Sequence, residues 1–267
     1  MGARDADIDD LIETLGRCRT KRSIMQIGVI SLLAPVPRIL DRLAEHGWCQ
    51  REGNGYRFRH YGPRIVDLIN SQDYLIQEGL KGNTNVLPDF MLHALGFDEI
   101  YSLDVGPHDQ PTHIHDLNEP DVWKKVGRQF DVLTEYGTLE HVFHVPNALW
   151  NIAKMCAVGG EIIHGAPMNN WPNHGFYQFS PTLYFDFYES NGFEVVESSI
   201  LQMHAPPSTL RFKSKYRREL SFGSPIPKDG HYYNFWCRVR KLREQSEMRS
   251  PFQGAYAAID TWRPNQS

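Results

Sequence analysis

The sequence predicts an α/β fold built around a mostly parallel sheet. Residues 130–134 form a short apolar run bounded by polar residues, which is typical of a buried strand. Apolar residues then recur at helical spacing from Leu139 to Met155, and a second apolar run follows at 161–167. A strand, a helix and a strand within about 40 residues have the size of one crossover unit of a parallel sheet.

The helix of this unit is predicted to begin at Thr138 and to end at the glycine pair 159–160. Thr138 suits a helix N-cap, and Glu140 places a negative charge in the first turn, where the helix dipole favours it. The polar residues that follow each strand fall where open α/β sheets bind ligands, outside the carboxyl ends of the strands.

Length and composition favour one soluble globular domain over residues 1–267. The net charge of −4 gives no reason to expect a nucleic acid or an anionic membrane as partner. The charged start MGARDADIDD is unlike a secretory leader, and no apolar run approaches the ~18 residues of a membrane span. The four cysteines form no CxxC pair, and we expect Cys156, on a predicted helix face, and Cys237, in a predicted strand, to be buried small hydrophobic residues. A reducing cytoplasm is the expected location.

The first half of the chain shows the same alternation of strands and helices. A β-branched apolar run at 22–33 predicts the first strand, with Gly28 at its turn, and a helix follows at 35–46. The next strands are predicted at 97–104 and 112–118. After the crossover unit, the patterns predict a helix at 180–191, a sixth strand at 193–201 and a last strand at 231–240.

Three segments interrupt this alternation. Residues 48–85 separate the first helix from the second strand, and we interpret them as a helical insertion that could cover a ligand as a lid or only pack. Residues 203–230 are proline-rich and predict a loop insertion. Residues 241–267 are polar and predict a loosely ordered tail.

Three stretches together resemble one enzyme family. FDVLTEYGTLEHV, NALWNIAKMCAVGGEIIHGAP and SPTLYFDFYESNGFEVVE are similar to the C-terminal half of class I S-adenosylmethionine-dependent methyltransferases, over about 97–197. The resemblance implies a Rossmann-like, mostly parallel seven-stranded sheet with helices on both faces and an antiparallel last strand. It also implies S-adenosylmethionine as cofactor. The chain departs from the family in the loop after the first strand, which has one glycine, Gly28, rather than three.

The resemblance also implies the cofactor-binding residues. Asp104, at the end of the second strand, would accept the ribose hydroxyls, as acidic residues do there in nucleotide-binding folds. Asp116 and the Leu117 backbone would flank the adenine. Gly28 would let the backbone approach the methionine end, and Glu135 would touch its ammonium or orient a base. Alternatively, Asp116 forms an Asx turn and Gly28 is a packing glycine.

The predicted reaction is O-methylation of a small hydroxylated acceptor, with a saccharide or oligosaccharide as one option. The loop after 167 combines amides, a histidine and flat rings, which suits a sugar ring and its hydroxyls. Its candidate acceptor-binding residues are Asn169, Asn170, Trp171, His174 and Tyr177. The candidate catalytic residues, in order, are His144 as general base, then Glu135, His174 and His141.

Two histidine-containing clusters raise the question of a metal ion. HIHD at 113–116 and EHVFH at 140–144 lack a recognised zinc spacing, so we expect no metal site, although a magnesium ion held by carboxylates stays open. If 140–144 is helical, His141 and His144 share one face. Two alternatives to the methyltransferase also stay open: a non-catalytic methyltransferase-like binding protein and a histidine-dependent metal hydrolase.

Overall fold

The computed structural model describes residues 2–3, 5–32, 34, 36–53, 55–59, 89–203, 213–215 and 229–257. The strands are β1 (Gly2–Ala3), β2 (Ser23–Ile27), β3 (Ser31–Leu32), β4 (Cys49–Glu52), β5 (Gly55–Phe58), β6 (Glu99–Asp104), β7 (His113–Ile114), β8 (Phe130–Tyr136), β9 (Cys156–Asn169), β10 (Phe193–Gln202), β11 (Lys213–Lys215) and β12 (Tyr233–Lys241). The helices are α1 (Asp5–Gly16), α2 (Val36–Glu45), α3 (Asp89–Ala94), α4 (Val122–Val126), α5 (Val145–Met155), α6 (Pro181–Ser190) and α7 (Gly254–Ala257), with a 3-10 turn at Leu139–His141.

Strands β7, β6, β2 and β8 are hydrogen-bonded neighbours in this order, and so are strands β9, β12, β10 and β11. This confirms the predicted Rossmann-like α/β fold, including the antiparallel last strand, since β12 runs antiparallel to both of its neighbours. The short β11 lies within the predicted loop insertion 203–230 and adds an eighth strand to the seven predicted.

Two compact units make up the chain. Of the described residues, the first unit comprises those up to Asp116 and Phe130–Tyr136, and the second comprises Leu117–Gln129, Gly137–Met203 and those from 213 onwards.

The first unit contains the parallel strands in the order β7-β6-β2-β8. All five residues of β2 are buried, as expected for a strand at the centre of a parallel sheet. The helix α1 buries an apolar stripe at the spacing i, i+3, i+4, i+7, which is the pattern of an amphipathic helix. The buried residues of this stripe are Ile8, Leu11, Ile12 and Leu15.

The second unit contains the strands β9, β12, β10 and β11, each antiparallel to the next. Pro181 occupies the first turn of α6 and Gly192 follows its end with φ +86°, in agreement with the helix predicted there. The helix buries Tyr184 and Tyr188 completely, and the hydroxyl of Tyr188 lies 2.6 Å from Nε2 of the buried His164 on β9.

A buried ion-pair network crosses β9, β12 and β10 in the second unit. Nη1 of Arg238 lies 3.1 Å from both carboxylate oxygens of Glu161, and Nη2 of Arg240 lies 2.7 Å from Oε1 of the same residue. The arginines also donate to Glu197 at 3.0 Å and to Glu194 at 2.8 Å. Because a guanidinium presents several N–H donors in a fixed geometry, the two arginines link glutamates of all three strands.

Residues 139–155 do not form the single helix that the sequence predicts. Thr138 makes no side-chain cap hydrogen bond, the 3-10 turn ends at His141, and Val142 is extended with φ −97° and ψ 122°. The helix α5 begins later, with Pro146 in its first turn. Proline lacks a backbone N–H and clashes with a preceding helical turn, so it is tolerated at a helix start and not inside one.

The predicted end of this helix is also wrong. The helix α5 ends at Met155, and β9 begins at Cys156, so the glycine pair lies inside the strand. Gly159 has φ +84°, a backbone conformation that a right-handed helix excludes. The predicted strand 161–167 is confirmed as part of this longer strand.

The predicted insertions are described only in part. The insertion 48–85 begins with an antiparallel hairpin of β4 and β5, so it is not helical there, and residues 60–88 lie outside the described ranges. Of 203–230, the described residues are 203, 213–215 and 229–230.

The tail 241–267 is described as far as 257, and this part is hydrogen-bonded to α6 and to the residue that follows it rather than loosely ordered. The backbone N–H of Arg249 donates to Oδ1 of Asn191 at 2.8 Å, and that of Gly254 donates to Oδ2 of Asp186 at 3.0 Å. Within the described ranges, none of the helices has the length and apolar character needed to cross a bilayer.

Candidate active site

The first unit has a change of strand order at β2, which positions a candidate cofactor site. The chain passes from β2 to β6 and β7 on one side and then to β8 on the other. In open α/β sheets, ligands bind outside the carboxyl ends of the strands at such a point. Four of the five residues predicted to bind the cofactor belong to this unit: Gly28, Asp104, Asp116 and Glu135.

Gly28 follows β2 directly and has φ +74°, as expected for the predicted turn. Its N–H donates to the carbonyl oxygen of Leu103 at 2.8 Å, which ties the turn to the end of β6. A side chain would strain this backbone conformation, so glycine is favoured here for conformational reasons.

Asp104 is the last residue of β6, and its carboxylate connects two loops. Oδ2 accepts from the N–H of Val29 at 3.4 Å, and Oδ1 accepts from the N–H of Val105 at 2.7 Å. An ionised carboxylate has about four acceptor positions, so these two contacts leave capacity for ligand hydroxyls. The half-buried side chain therefore has the position and the chemistry for a ribose contact.

The other predicted cofactor residues differ in their surroundings. Glu135, the penultimate residue of β8, is completely buried, and its Cα is paired with that of Ile27, the residue before Gly28. Asp116 is half-buried and follows β7 by two residues. Leu117 is buried and begins a segment of the second unit.

The second unit brings together two predicted catalytic histidines around a buried glutamate. The Glu140 side chain is 0% exposed, and its Oε1 lies 3.4 Å from Nε2 of His174 and 3.9 Å from Nε2 of His141. The two imidazole rings meet edge to face, with 5.1 Å between their centroids. His141 is 48% and His174 32% exposed, so the cluster has one buried anionic side and one side open to solvent.

The backbone holds the His174 loop against Glu140. The carbonyl oxygen of Glu140 accepts from the N–H groups of Phe176 at 2.7 Å and Tyr177 at 3.3 Å. A Cβ atom on Gly175 would lie 2.7 Å from the same oxygen, closer than real Cβ contacts occur. Glycine at 175 is therefore required by the close approach of the two segments.

Two aromatic side chains of the same loop, Trp171 and Tyr177, are held by hydrogen bonds to backbone carbonyl groups. The ring of Trp171 lies 4.8 Å from that of His174, and its Nε1 donates to the carbonyl oxygen of Tyr233 at 3.2 Å. The hydroxyl of Tyr177 donates to the carbonyl oxygen of Phe143 at 2.9 Å. Both rings are thereby fixed in orientation, as a stacking surface for a ligand requires.

The remaining predicted residues have other roles in the structure. Asn170 donates from Nδ2 to the carbonyl oxygen of His231 at 2.7 Å, and Asn169 ends β9 with an exposed side chain. His144 is exposed at the N-cap of α5, where its N–H donates to Oδ1 of Asn118 at 2.9 Å. His141 and His144 do not share a helix face, because extended backbone at Val142 separates them.

Glu140 is a site residue that the sequence prediction missed. The sequence prediction placed it in the first turn of a helix, where the helix dipole favours a negative charge, whereas it lies in a 3-10 turn and its side chain is buried. The EHVFH cluster at 140–144 did show a histidine, His141, directly after Glu140. The partner His174, 34 positions further on, could not be assigned from spacing.

Neither a protein-family model nor a curated protein matches the sequence. Solved structures do match it. N-methyltransferase NodS from Bradyrhizobium japonicum WM9 is 13% identical, with 90% of this chain and 97% of that chain covered and a TM-score of 0.43. The 1,6-didemethyltoxoflavin-N1-methyltransferase from Burkholderia thailandensis is 13% identical, with 90% and 78% covered and a TM-score of 0.39. The putative methyltransferase in a complex with the Haloferax volcanii Trm112 activator is 11% identical, with 91% and 95% covered and a TM-score of 0.43. All three are methyltransferases by name.

Proposed function

We propose that the protein is an S-adenosylmethionine-dependent methyltransferase that binds its cofactor at the strand ends of the first unit. The change of strand order at β2, with the Gly28 turn and the Asp104 carboxylate at its edge, is the observation that carries this proposal. In it, Asp104 accepts the ribose hydroxyls, and Gly28 admits the methionine end. Asp116 and the Leu117 backbone contact the adenine, and Glu135 accepts the methionine ammonium.

We propose a hydroxyl group of a small polar molecule as the methyl acceptor, with a saccharide as the leading class. The fixed rings of Trp171 and Tyr177 offer flat apolar faces, and His174 and the exposed Asn169 offer hydrogen-bonding groups beside them. Asn170 supports the loop through His231 and offers its amide oxygen.

The proposed reaction is an in-line displacement at the sulfonium methyl group. The acceptor oxygen forms a bond to the methyl carbon, the bond from carbon to sulfur breaks, and S-adenosylhomocysteine leaves. The hydroxyl proton passes to the exposed imidazole of His144, which acts as general base. We place this reaction in the cytoplasm, since all four cysteines are free thiols and buried, which suits a reducing compartment.

Titration calorimetry with S-adenosylhomocysteine tests the proposal on the full chain. We expect saturable binding, weakened by about 1.5–3 kcal/mol in Asp104→Asn, because the variant loses charge-assisted hydrogen bonds to the ribose while it keeps its shape. Glu247→Gln removes an exposed carboxylate of the second unit and serves as the matched control. Absence of binding at millimolar ligand would overturn the proposal.

Turnover with hydroxyl and amine acceptor panels separates an enzyme from a non-catalytic binding protein. In this assay His144→Ala should lower kcat by ~10²–10⁴-fold with cofactor affinity unchanged. His174→Ala should instead raise the acceptor KM. Equal kcat in His144→Ala and the parent would remove His144 as the base.

A further inference from the structure

We propose that Glu140, His141 and His174 bind a divalent transition-metal ion. Among the described residues, these three side chains each offer one ligand atom, and the three atoms all lie within 4.8 Å of one another. Two histidines and one carboxylate are a donor set that proteins use for such ions, with further coordination positions left for water or substrate.

The spacing within the cluster suits a shared ion better than a direct ion pair. The distances from Glu140 Oε1 to the two Nε2 atoms are 3.4 and 3.9 Å, whereas N–H···O hydrogen bonds are about 2.7–3.2 Å long. With metal–ligand bonds of about 2.0–2.2 Å, neighbouring ligand atoms on one ion are roughly 3.0–3.5 Å apart. His174 is already at such a distance, and a small movement of the half-exposed His141 brings it there.

The surroundings hold two of the three donors in position. Two backbone hydrogen bonds to the Glu140 carbonyl oxygen and the contact with Gly175 fix the His174 loop. The Trp171 ring supports the His174 imidazole. Asn173, directly before His174, has φ +62°, an uncommon backbone conformation for a residue with a side chain. A conformation of this kind is maintained where neighbouring contacts determine it.

The donor atoms select the class of ion. Imidazole nitrogen suits zinc, iron, cobalt, nickel and copper, whereas magnesium and calcium prefer oxygen ligands. The cluster therefore predicts Zn²⁺ or a similar ion rather than the magnesium ion that the sequence left open. Because the carboxylate is buried and both imidazoles are partly exposed, the remaining coordination positions of the ion would face solvent.

The ion would also have a catalytic role in methyl transfer. A metal ion lowers the pKa of a coordinated hydroxyl, so an acceptor oxygen held there would lose its proton to a base more readily. This role rests on the proposed function, whereas metal binding by the three residues does not.

Calorimetry with ZnCl₂, MnCl₂ and MgCl₂ on the chelator-treated full chain tests the site. We expect one Zn²⁺ per chain, with Mg²⁺ bound at least about 100-fold more weakly. His174→Ala and Glu140→Gln should each weaken Zn²⁺ binding by more than about 100-fold, since loss of even an outer-shell partner costs 10–100-fold. His108→Ala, which removes an exposed histidine of the first unit, should bind as the parent does.

Cobalt absorption gives a second readout. Visible d–d bands of the Co²⁺ complex should change in His174→Ala and stay unchanged in His108→Ala. Circular dichroism checks folding, and His141→Ala, a change at a half-exposed position, replaces Glu140→Gln if that variant does not fold. Unchanged Zn²⁺ affinity in the His141 and His174 variants, or no saturable Zn²⁺ binding by the parent, would overturn the site. Loss of S-adenosylhomocysteine binding with Zn²⁺ binding retained would overturn the proposed function alone.

Discussion

Two buried glutamates in the second unit have opposite surroundings. Glu161 is 1% exposed and receives donors from Arg238 and Arg240 at 2.7–3.1 Å. Glu140 is 0% exposed and faces two imidazoles at 3.4 and 3.9 Å. A guanidinium is always charged and matches a carboxylate geometrically, whereas an imidazole binds or releases a proton near neutral pH and can coordinate a metal.

The two arrangements also differ in the secondary-structure elements that contribute their residues. Glu161, Arg238 and Arg240 belong to adjacent strands, and the register itself places Arg240 opposite Glu161. Glu140 and His174 come from a 3-10 turn and a loop, held together by a few backbone hydrogen bonds. We infer that the first arrangement stabilises the sheet and that the second is suited to binding. The following three variants test this difference.

The largest expected effect comes from Glu161→Gln. The change leaves the guanidinium groups of Arg238 and Arg240 without their shared anion in a buried place, which should lower the free energy of unfolding by about 3–5 kcal/mol. Urea denaturation measures this loss. Glu194→Gln is the matched control, because the Glu194 side chain is 45% exposed and its loss should cost at most about 1 kcal/mol. Equal losses in both variants would contradict a structural role for the buried pair, and Zn²⁺ affinity should change in neither.

Gly175→Ala should have an intermediate effect, and mainly on binding. Its new methyl group would meet the Glu140 carbonyl oxygen at 2.7 Å, so the His174 loop must move away from the cluster. We expect Zn²⁺ affinity to fall by about 10-fold or more, as for loss of outer-shell support. Gly106→Ala is the control, since nothing lies within 4 Å of its added Cβ. If Gly175→Ala bound Zn²⁺ with the affinity of the parent, the position of the His174 loop would not determine Zn²⁺ binding.

The smallest expected effect concerns Glu244, which, like Glu161, lies between two basic side chains but is half-exposed. Burial alone would raise the pKa of Glu244, but hydrogen bonds from Lys154 and Lys241 outweigh it and lower the pKa below its usual value. A lowered folded-state pKa adds stability above the unfolded pKa of about 4.3, and this stability is lost as the pH falls through the folded-state pKa.

Glu244→Gln should therefore lower stability by only about 1 kcal/mol at pH 7, because solvent screens the group and both lysines keep backbone acceptors. Thermal unfolding of parent and variant between pH 7 and 3 measures the difference, which should shrink as the pH drops below about 4.3. A difference that is constant over this range would exclude the charge of Glu244 as its cause.

The sequence predicted seven strands, which correspond to β2, β6 to β10 and β12, because their apolar runs are long and their ends are marked. Gly28 and Asp104 were predicted at strand ends for the same reason, and the structure places them there. The 3-10 turn was missed because the apolar spacing continues through Pro146, although a proline there is itself a sign of a new helix start. The hairpin of β4 and β5 also had a local signal, the Gly-Asn pair at positions 53–54 between the two strands.

The Glu140 cluster depends on tertiary structure and had no complete local signal. His174 reaches Glu140 only because Gly175 allows the two segments to approach and because the Glu140 carbonyl oxygen accepts from Phe176 and Tyr177. The bonds from Arg249 and Gly254 to the end of α6 are similar, since each joins residues far apart in sequence. Pairings of this kind follow from the fold and not from residue spacing.

The position of β12 has a consequence for synthesis on the ribosome. In the second unit this strand lies between β9 and β10, and it pairs Arg240 with Glu161, 79 positions earlier. Until residues 233–241 emerge, β9 and β10 each present an unpaired edge, which is a template for wrong pairing with another chain. Because such long-range pairing closes slowly, these two edges stay unpaired until residues 233–241 have been translated. Chaperone demand should therefore be highest just before this strand appears.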